Sequence, residues 1–385
     1  MPSPRAARLG CALALACGGA ACLVDNPGFS ASDGGGASAG ASAGTSTGAG
    51  SGGESEGASS GASMSEGATD TSALSSTSGE PTSEVTSGDA TSSATTSGDS
   101  TGDAVTTEAP DPGPPSLCQI PIGKWKIGAP EAVLLNFEAH QYDPVMLSDG
   151  QTLFFSSSGN SHRLLRKGFG EPFMGPPMLN TSLNTIFDES KVMLSHDRLR
   201  AYIASDRPPA GPDNVDIFVA SRESDVEPFA PATWIAELAT PDNELDVQLS
   251  ADELRVYYAR RVNNQLDLYF AARAGLDAPF VGIAPIAELN LPDGPEASPS
   301  LSVDERTIFF TSQRAGDLKL NIYVAVRDDP GGAFGEPTPV AGLDGPGVQA
   351  EPFVVEREEG CELFFVDDTK DQMTWRIYRA PIVAM

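Results

Sequence analysis

The hydrophobic pattern from Ser302 to Arg327, SVDERTIFFTSQRAGDLKLNIYVAVR, has the form of two short strands. A polar turn precedes the aromatic pair Phe309-Phe310, a polar loop follows the pair, and a second apolar stretch ends in Arg327. The strand with the aromatic pair is apolar on both faces, which is typical of a strand held between two sheets. No helical periodicity extends far enough to compete. The segment therefore predicts two antiparallel strands joined by a short loop.

The same pattern occurs five times along the chain. Its apolar pair ends at Phe155, Ile203, Tyr258, Phe310 and Phe365, so that successive copies lie 48, 55, 52 and 55 residues apart. One apolar segment precedes each pair, another follows it, and a fourth such as EPFAPATWIAELA ends the unit. Units of four short strands that repeat every ~50 residues are typical of propeller blades. We therefore predict an all-β, five-bladed β-propeller, with a six-bladed ring as the alternative.

The form of the repeat also carries a family resemblance. LSxDxxxIFFTSxR followed by NIYVAxR resembles the WD40-like repeats called PD40, which occur in TolB-type propellers. The resemblance covers about residues 143–385. It implies the propeller fold and does not specify an activity.

The two ends of this region are complementary. The last unit stops after its third strand, at RIYRAPIVAM, and a spare fourth-strand pattern stands at 124–136. We predict that this N-terminal strand completes the last blade, which would leave no exposed strand edge. Cys118 and Cys361 each lie just before a strand that should start on the same side of the ring, so we predict a disulfide between them. The alternative is two free buried thiols. A bond closing so long a loop contributes on the order of 4–5 kcal/mol in the chain-entropy model.

The first 22 residues, MPSPRAARLGCALALACGGAAC, have the pattern of a secretory signal peptide. Arg5 and Arg8 give a positive start, and the apolar run that follows is too short to span a membrane. The small residues before Cys22 resemble a bacterial lipobox, in which that cysteine receives the lipid. Cys17 is the competing lipidation site, and secretion without a lipid is the other alternative.

Residues 23–116 form a Ser/Thr/Gly-rich acidic tract. They contain no Lys or Arg, and no aromatic residue follows Phe29, so the tract cannot bury enough apolar surface to fold. We predict a disordered linker between the signal peptide and a propeller at 117–385. Together with CLVDNPGF, the tract resembles exported lipoproteins of myxobacteria. That resemblance implies an exported, lipid-anchored protein of the outer membrane, either periplasmic or surface-facing.

The net charge limits the partners. The chain has 24 Lys and Arg against 53 Asp and Glu, a formal charge of -29, and should be repelled by nucleic acid and by anionic membranes. Divalent cations or basic partners fit better, although acidity also simply keeps an exported protein soluble. No Walker loop, zinc-protease motif, nucleophile elbow or dinucleotide fingerprint is present in the sequence of residues 117–385. We expect no cofactor, membrane contact through the lipid anchor only, and a monomer.

Acidic residues recur near the start of the first strand of each unit. Four copies carry Glu fourteen positions before the end of the apolar pair, and the first copy has an Asp close to the equivalent place. By symmetry these carboxylates should surround the mouth of the central channel: Asp143, Glu189, Glu244, Glu296 and Glu351. Arginines that follow the second strands should emerge on the same face and pair with them: Arg207, Arg261 and Arg314.

These carboxylates allow three interpretations. Clustered oxygen ligands suit a cation such as Ca²⁺, and two carboxylates across a channel could cleave a glycosidic bond. We favour a structural role, because a feature present in every repeat is more often scaffold than catalyst, and we predict no bound metal.

The loops between second and third strands differ most between copies, as in SDRPPAGPDNV, ARRVNNQL, TSQRAGDLKL and DDTKDQMT. Variable loops on a rigid scaffold commonly carry binding function. We therefore predict a non-catalytic, lipid-anchored module that binds an envelope protein or glycan, and not an enzyme. The alternative is a polysaccharide hydrolase with two channel-mouth carboxylates as acid and base.

Overall fold

The computed structural model describes residues 116–385, except for 119, 122, 135–136, 211–213, 264, 317–318, 344 and 369–373. The predicted signal peptide, Cys17, Cys22 and the linker up to residue 115 lie outside the described residues. The described part of the chain consists of strands, turns and loops. None of its segments is a helix long and apolar enough to cross a membrane.

The described chain forms five antiparallel sheets that are the blades of a β-propeller, which confirms the predicted all-β, five-bladed fold. Four short strands precede the blades: β1 (Ser116–Leu117), β2 (Ile120–Pro121), β3 (Trp125–Ile127) and β4 (Glu131–Ala132). Blade one contains β5 (Tyr142–Met146), β6 (Thr152–Ser157), β7 (Asn160–Arg166) and β8 (Phe173–Leu179). Blade two contains β9 (Glu189–Leu194), β10 (Arg200–Ser205), β11 (Asp216–Ser221) and β12 (Thr233–Trp234).

The remaining blades follow in chain order. Blade three contains β13 (Glu244–Leu249), β14 (Arg255–Val262), β15 (Gln265–Ala272) and β16 (Val281–Pro285). Blade four contains β17 (Glu296–Leu301), β18 (Thr307–Ser312), β19 (Asn321–Val326) and β20 (Thr338–Pro339). Blade five contains β21 (Gln349–Arg357), β22 (Gly360–Asp367) and β23 (Arg376–Ala384).

The first strand of every blade lies at the centre of the ring. β5 contacts β9, β9 contacts β13, and the series continues through β17 and β21 back to β5. Each of these inner strands pairs with the second strand of its own blade and has a break in register partway along. The closed cycle defines a central channel lined by five inner strands.

The N-terminal segment completes blade five. β3 pairs antiparallel with β23, with Ile127 opposite Ile382, and β4 pairs with the earlier part of β23. The structure also joins Cys118 and Cys361 in a disulfide, with Cα atoms 6.0 Å apart. The outermost strand of the last blade thus comes from the beginning of the domain, and a covalent bond lies beside it.

The aromatic pairs hold adjacent blades together. Phe309 packs with Trp125 and Phe365 toward blade five, whereas its neighbour Phe310 packs with Tyr257 toward blade three. Both phenylalanines are completely buried. Successive strand residues point to opposite faces, so the Phe309-Phe310 pair supplies one aromatic ring to each of two blade interfaces.

Candidate functional site

The five predicted carboxylates do not form one ring, which corrects the interpretation from sequence. Three of them share one structural position at the start of an inner strand: Glu189, Glu244 and Glu296 lie opposite Ser205, Arg260 and Ser312. We call these three the mouth glutamates. By strand register, the same position holds Gln349 in blade five, opposite Asp367, and Gln141 in blade one, next to β5.

Hairpin length explains the misplacement of Glu351. In blade two the paired residues Leu194 and Ala201 are 7 positions apart, whereas the equivalent pair in blade five, Val354 and Leu363, are 9 apart. Counting a fixed fourteen residues back from the apolar pair therefore lands two residues too far along β21. Asp143 likewise lies two residues beyond Gln141, the true counterpart of the mouth glutamates.

Each mouth glutamate is fully buried and has a hydroxyl donor. The Thr240 hydroxyl donates to Glu244 at 2.6 Å, and the Ser312 hydroxyl donates to Glu296 at the same distance. In blade two the Thr185 hydroxyl donates to Glu189. These hydrogen bonds satisfy the carboxylates within their own blade.

An arginine completes the site in all three blades. Arg207 lies 3.0 Å from Glu189, and Arg314 lies 3.4 Å from Glu296. In blade three the partner of Glu244 is Arg260, at 3.6 Å, rather than the predicted Arg261. Arg260 stands directly opposite Glu244 in the β13–β14 ladder, so the alternation of side chains along β14 selects it over its neighbour.

Burial dominates the electrostatics of the mouth glutamates. It raises the pKa of Glu244 to about 8, with Asp216 adding to the rise, and it raises the pKa of Glu296 to about 7. The pKa of Glu189 is also raised by burial, although Thr185 and Arg207 oppose the rise.

The other two predicted carboxylates belong to a second ring inside the channel. One residue of each inner strand has a left-handed backbone: φ is 53° at Asp143, 41° at Lys191, 55° at Asp246, 52° at Ser298 and 54° at Glu351. We call these five residues the channel cluster. A left-handed backbone conformation is rare for residues other than Gly and costs about 1–2 kcal/mol. Because five such residues occupy the same position in the five inner strands, we infer that the blades share a β-bulge there.

The channel cluster connects neighbouring blades through backbone N–H groups. The N–H of Lys191 donates to Asp143 at 3.2 Å, and that of Ser298 donates to Asp246 at 3.0 Å. The N–H of Asp143 donates to Glu351 at 2.6 Å, across the junction of blades one and five. Each carboxylate thus accepts the N–H of the equivalent residue in the next blade.

Lys191 supplies the only cation of the channel cluster. Its side chain is completely buried, and its Nζ has no hydrogen-bond partner among the described residues. The ammonium lies 5.9 Å from the centre of the Phe353 ring. Burial raises the pKa of Asp143 to about 6, and the pKa values of Asp246 and Glu351 are raised for the same primary reason. One lysine therefore faces three carboxyls that bind protons more tightly than usual.

A third set of charged residues, which the sequence interpretation missed, bridges the blades farther out. Between blades two and three, Arg200 donates to Glu253 at 2.6 Å and the Tyr202 hydroxyl donates to the same carboxylate at 2.8 Å. Arg273 donates to the Tyr202 oxygen at 2.9 Å and lies 3.9 Å from Glu253. The same arrangement recurs between blades three and four with Arg255, Tyr257, Glu305 and Arg327. We call each set of four an interblade clasp.

The signal for the clasps was present in the sequence. The turns SADELR and SVDERT place the clasp glutamate directly after the aspartate of the repeat motif. The Asp252 carboxylate accepts the N–H of Leu254 and stabilises the turn, which directs Glu253 toward the preceding blade. A motif that seemed to define only a turn therefore also supplies a contact between blades.

The variable loops lie on the face of the mouth glutamates. Glu189 is paired with Ser205, the last residue of β10, so the loop to β11 begins beside it. In blade four, Glu296 is paired in the same way with Ser312 at the end of β18.

Comparison with known proteins yields fold similarities only. No protein-family model matches the chain, and no curated protein matches it. Among solved structures, a protein described as TolB from Agrobacterium tumefaciens is 18% identical with a TM-score of 0.41, over 62% of this chain and 73% of that one. A thermostable family-43 glycoside hydrolase is 13% identical with a TM-score of 0.48, over 66% and 92%. The GH43_1 enzyme from Xanthomonas citri complexed with xylotriose is 13% identical with a TM-score of 0.47, over 66% and 92%.

Proposed function

We propose that this chain is a non-catalytic binding module, exported and held at the cell envelope by a lipid on Cys22, whose propeller binds an envelope protein or glycan. One observation carries the proposal: the five carboxylates that could have acted on a substrate already have partners inside the fold. The mouth glutamates are bound by hydroxyls and arginines, and Asp143 and Glu351 accept backbone N–H groups.

The alternative, a polysaccharide hydrolase, requires an acid and a base that reach a substrate. The raised pKa values of Asp143 and Glu351 are of the kind that catalytic acids have. Both residues are nevertheless buried, with 7% and 4% of their surface exposed, and Lys191 is packed among them. These contacts favour a scaffold role for the channel, which leaves binding to the surface of the ring.

Affinity capture tests the proposal. The full chain is immobilised and exposed to an envelope extract of its source organism, with heat-unfolded chain as the control bait. We expect enrichment of a defined protein or glycan on the folded bait only. In parallel, the chain is incubated with a panel of polysaccharides while reducing ends are measured, and we expect no turnover.

The hydrolase alternative gives the opposite result. Capture of no partner, together with turnover of a polysaccharide that Glu351→Gln abolishes while the variant keeps a cooperative thermal transition, would overturn the proposal. Glu296→Gln serves as the comparison. If the channel cluster is catalytic, this variant of a mouth glutamate keeps the turnover that Glu351→Gln loses.

A further inference from the structure

The turn between the first and second strands contains one left-handed residue in blades one to four. These residues are Gly150, Arg198, Glu253 and Glu305, with φ of 64°, 62°, 59° and 57°. In each blade the residue's N–H donates to the carbonyl three positions earlier. The position holds the clasp glutamate in blades three and four, whereas blade two has an arginine there.

The other members of the clasp are also replaced between blades one and two. Thr152 is opposite Leu165 in the β6–β7 ladder, just as Arg200 is opposite Ser221 in the β10–β11 ladder. Thr152 therefore occupies the position in blade one that Arg200 and Arg255 occupy in blades two and three. Phe154 stands in place of the clasp tyrosine and has no hydroxyl. Arg222 occupies the same position as the clasp arginine Arg273. The Nε of Arg222 donates to the carbonyl of Arg198, and the Nε of Arg273 donates to the carbonyl of Glu253. This interface therefore has the arginine of the clasp and lacks the carboxylate.

A cavity of about 500 Å³ occupies the interface between blades one and two. Three arginines line it, Arg163, Arg198 and Arg222, together with the acidic residues Asp225 and Glu227. Its apolar lining includes Leu165 and Leu179, 44% and 51% exposed. Sites for small molecules commonly have volumes of about 300–1,000 Å³, with apolar walls and a few polar groups.

The arginines of the cavity differ in their partners. Arg198 pairs with Asp225 at 2.8 Å and with Asp149 at 3.5 Å. Arg222 donates to the carbonyls of Arg198 and Glu227, at 2.9 and 3.2 Å, and lies over the ring of Phe229. Across the described part of the chain, no carboxylate lies within 4.0 Å of the guanidinium of Arg222 or Arg163.

Other interfaces show what normally neutralises such arginines. Between blades five and one, Glu362 lies 2.6 Å from Arg166 and 3.2 Å from Arg379. Two further interfaces have the clasp glutamate, and the interface of blades four and five is packed by apolar residues beside the Cys118–Cys361 disulfide. At this cavity, Arg222 thus lacks the glutamate that its counterparts Arg273 and Arg327 have in the clasps.

We propose that this cavity binds the carboxylate of a ligand that also carries an apolar group, with the carboxylate between Arg198 and Arg222 and the apolar group against Leu165 and Leu179. Two neighbouring arginines in an acidic chain form a selective site for such an anion, because charge-assisted hydrogen bonds to carboxylates are the stronger kind. The inference names a site for the proposed binding function and rests on that function for its biological role. The ligand is either a free organic acid or the C-terminal carboxylate of a protein.

Calorimetric titration of the full chain tests the site and separates the two sources. The probes are 3-phenylpropionate against its amide, and an N-acetylated tripeptide ending in leucine carboxylate against its C-terminal amide. We expect at least one carboxylate to bind at least ~10-fold more tightly than its amide, since hydrogen bonds to a charged group contribute about 1.5–3 kcal/mol. Preference for the tripeptide identifies a protein terminus, and preference for phenylpropionate identifies a free acid.

Two variants locate the binding. Arg222→Gln should weaken carboxylate binding about 10-fold or more, and Arg198→Glu should abolish it by placing an internal carboxylate in the site. Lys126→Gln, which removes an exposed charge in blade five, should leave carboxylate binding unchanged.

Equal affinity for acid and amide, no binding of either carboxylate, or wild-type binding by Arg198→Glu would overturn the site. Repeating the affinity capture with Arg198→Glu as bait separates this inference from the proposed function. Undiminished capture contradicts a protein C-terminus as the ligand and leaves the proposed function, whereas carboxylate binding without any captured partner supports the site and contradicts the proposed function.

Discussion

The interblade clasps and the channel cluster both place carboxyl groups between blades, but with opposite balances of charge. A clasp surrounds one glutamate with two arginines and a tyrosine, whereas the channel cluster surrounds one lysine with three carboxyls. In the clasp, the hydrogen bonds to Glu253 raise the pKa of Arg200 and keep that arginine protonated. In the channel, burial raises the pKa values of Asp143 and Glu351, and the neighbouring carboxyls add to the rise. The same types of residue therefore form a group of fixed charges in the interblade clasps and a group that can bind protons in the channel cluster.

The largest effect should come from Lys191→Met, which removes the cation of the channel cluster. At pH 8 we expect the free energy of unfolding to fall by about 4 kcal/mol, because the buried carboxyls of the channel then lose the one positive charge that interacts with them. At pH 5 the loss should be smaller, since Asp143, with a pKa of about 6, is then largely protonated. Chemical denaturation at both pH values measures this, with Lys126→Met as the exposed control. An equal loss at pH 5 and pH 8 would show that Lys191 acts through packing alone.

Glu253→Gln should have the next largest effect. The amide cannot hold two arginines as a carboxylate does, so we expect a loss of about 2 kcal/mol. Glu223→Gln, an exposed glutamate in the same part of the ring, should change stability by less than about 0.5 kcal/mol. Thermal denaturation of both variants makes the comparison. A clasp variant no less stable than its exposed control would mean that apolar packing alone holds blades two and three together.

The pH dependence of the unmodified chain should be set by the carboxyls of the channel and its mouth. Their folded-state pKa values are raised, to about 6 at Asp143, about 7 at Glu296 and about 8 at Glu244. The folded state then binds more protons than the unfolded state, so their stabilising contribution is present at low pH and is lost as pH rises through these values. We expect a melting temperature several degrees higher at pH 5 than at pH 8. A melting temperature that rises from pH 5 to pH 8 would contradict the protonation of these carboxyls in the folded state.

Ser298→Ala should have the smallest effect. It removes one hydroxyl that donates to Asp246 at 3.0 Å and leaves the backbone N–H of residue 298 in place. We expect a loss of about 1 kcal/mol, the ordinary contribution of one hydrogen bond. The loss should become smaller as pH falls, because the hydroxyl stabilises the ionised form of Asp246, whose pKa is raised by burial. A loss that becomes larger as pH falls would show that the Ser298 hydroxyl does not act on an ionised Asp246.

The fold could be predicted from sequence because its signal repeats at the level of residue type. Phe309-Phe310 and its counterparts are apolar in every blade, since each must fill two blade interfaces at once. The unused strand pattern near Trp125 likewise indicated how the ring closes, because a blade with three strands would expose an edge.

The channel could not be predicted in the same way. Its five left-handed positions hold Asp, Lys, Asp, Ser and Glu, which share a backbone conformation and no residue type. The two extra residues in the β21–β22 hairpin further displaced Glu351 from the position that counting assigned to it. Arg198 was overlooked for a related reason, since its importance lies in the absence of the glutamate that later copies carry.

The Cys118–Cys361 disulfide determines how the ring would carry a mechanical load. Cys118 precedes β3 in the chain, so tension applied at Ser116 reaches β22 in the middle of blade five through the covalent bond. The few hydrogen bonds between β3 and β23 then lie outside the loaded path and are not peeled apart one by one. A propeller pulled from its N-terminal side would keep its closing strand for as long as this disulfide remains oxidised.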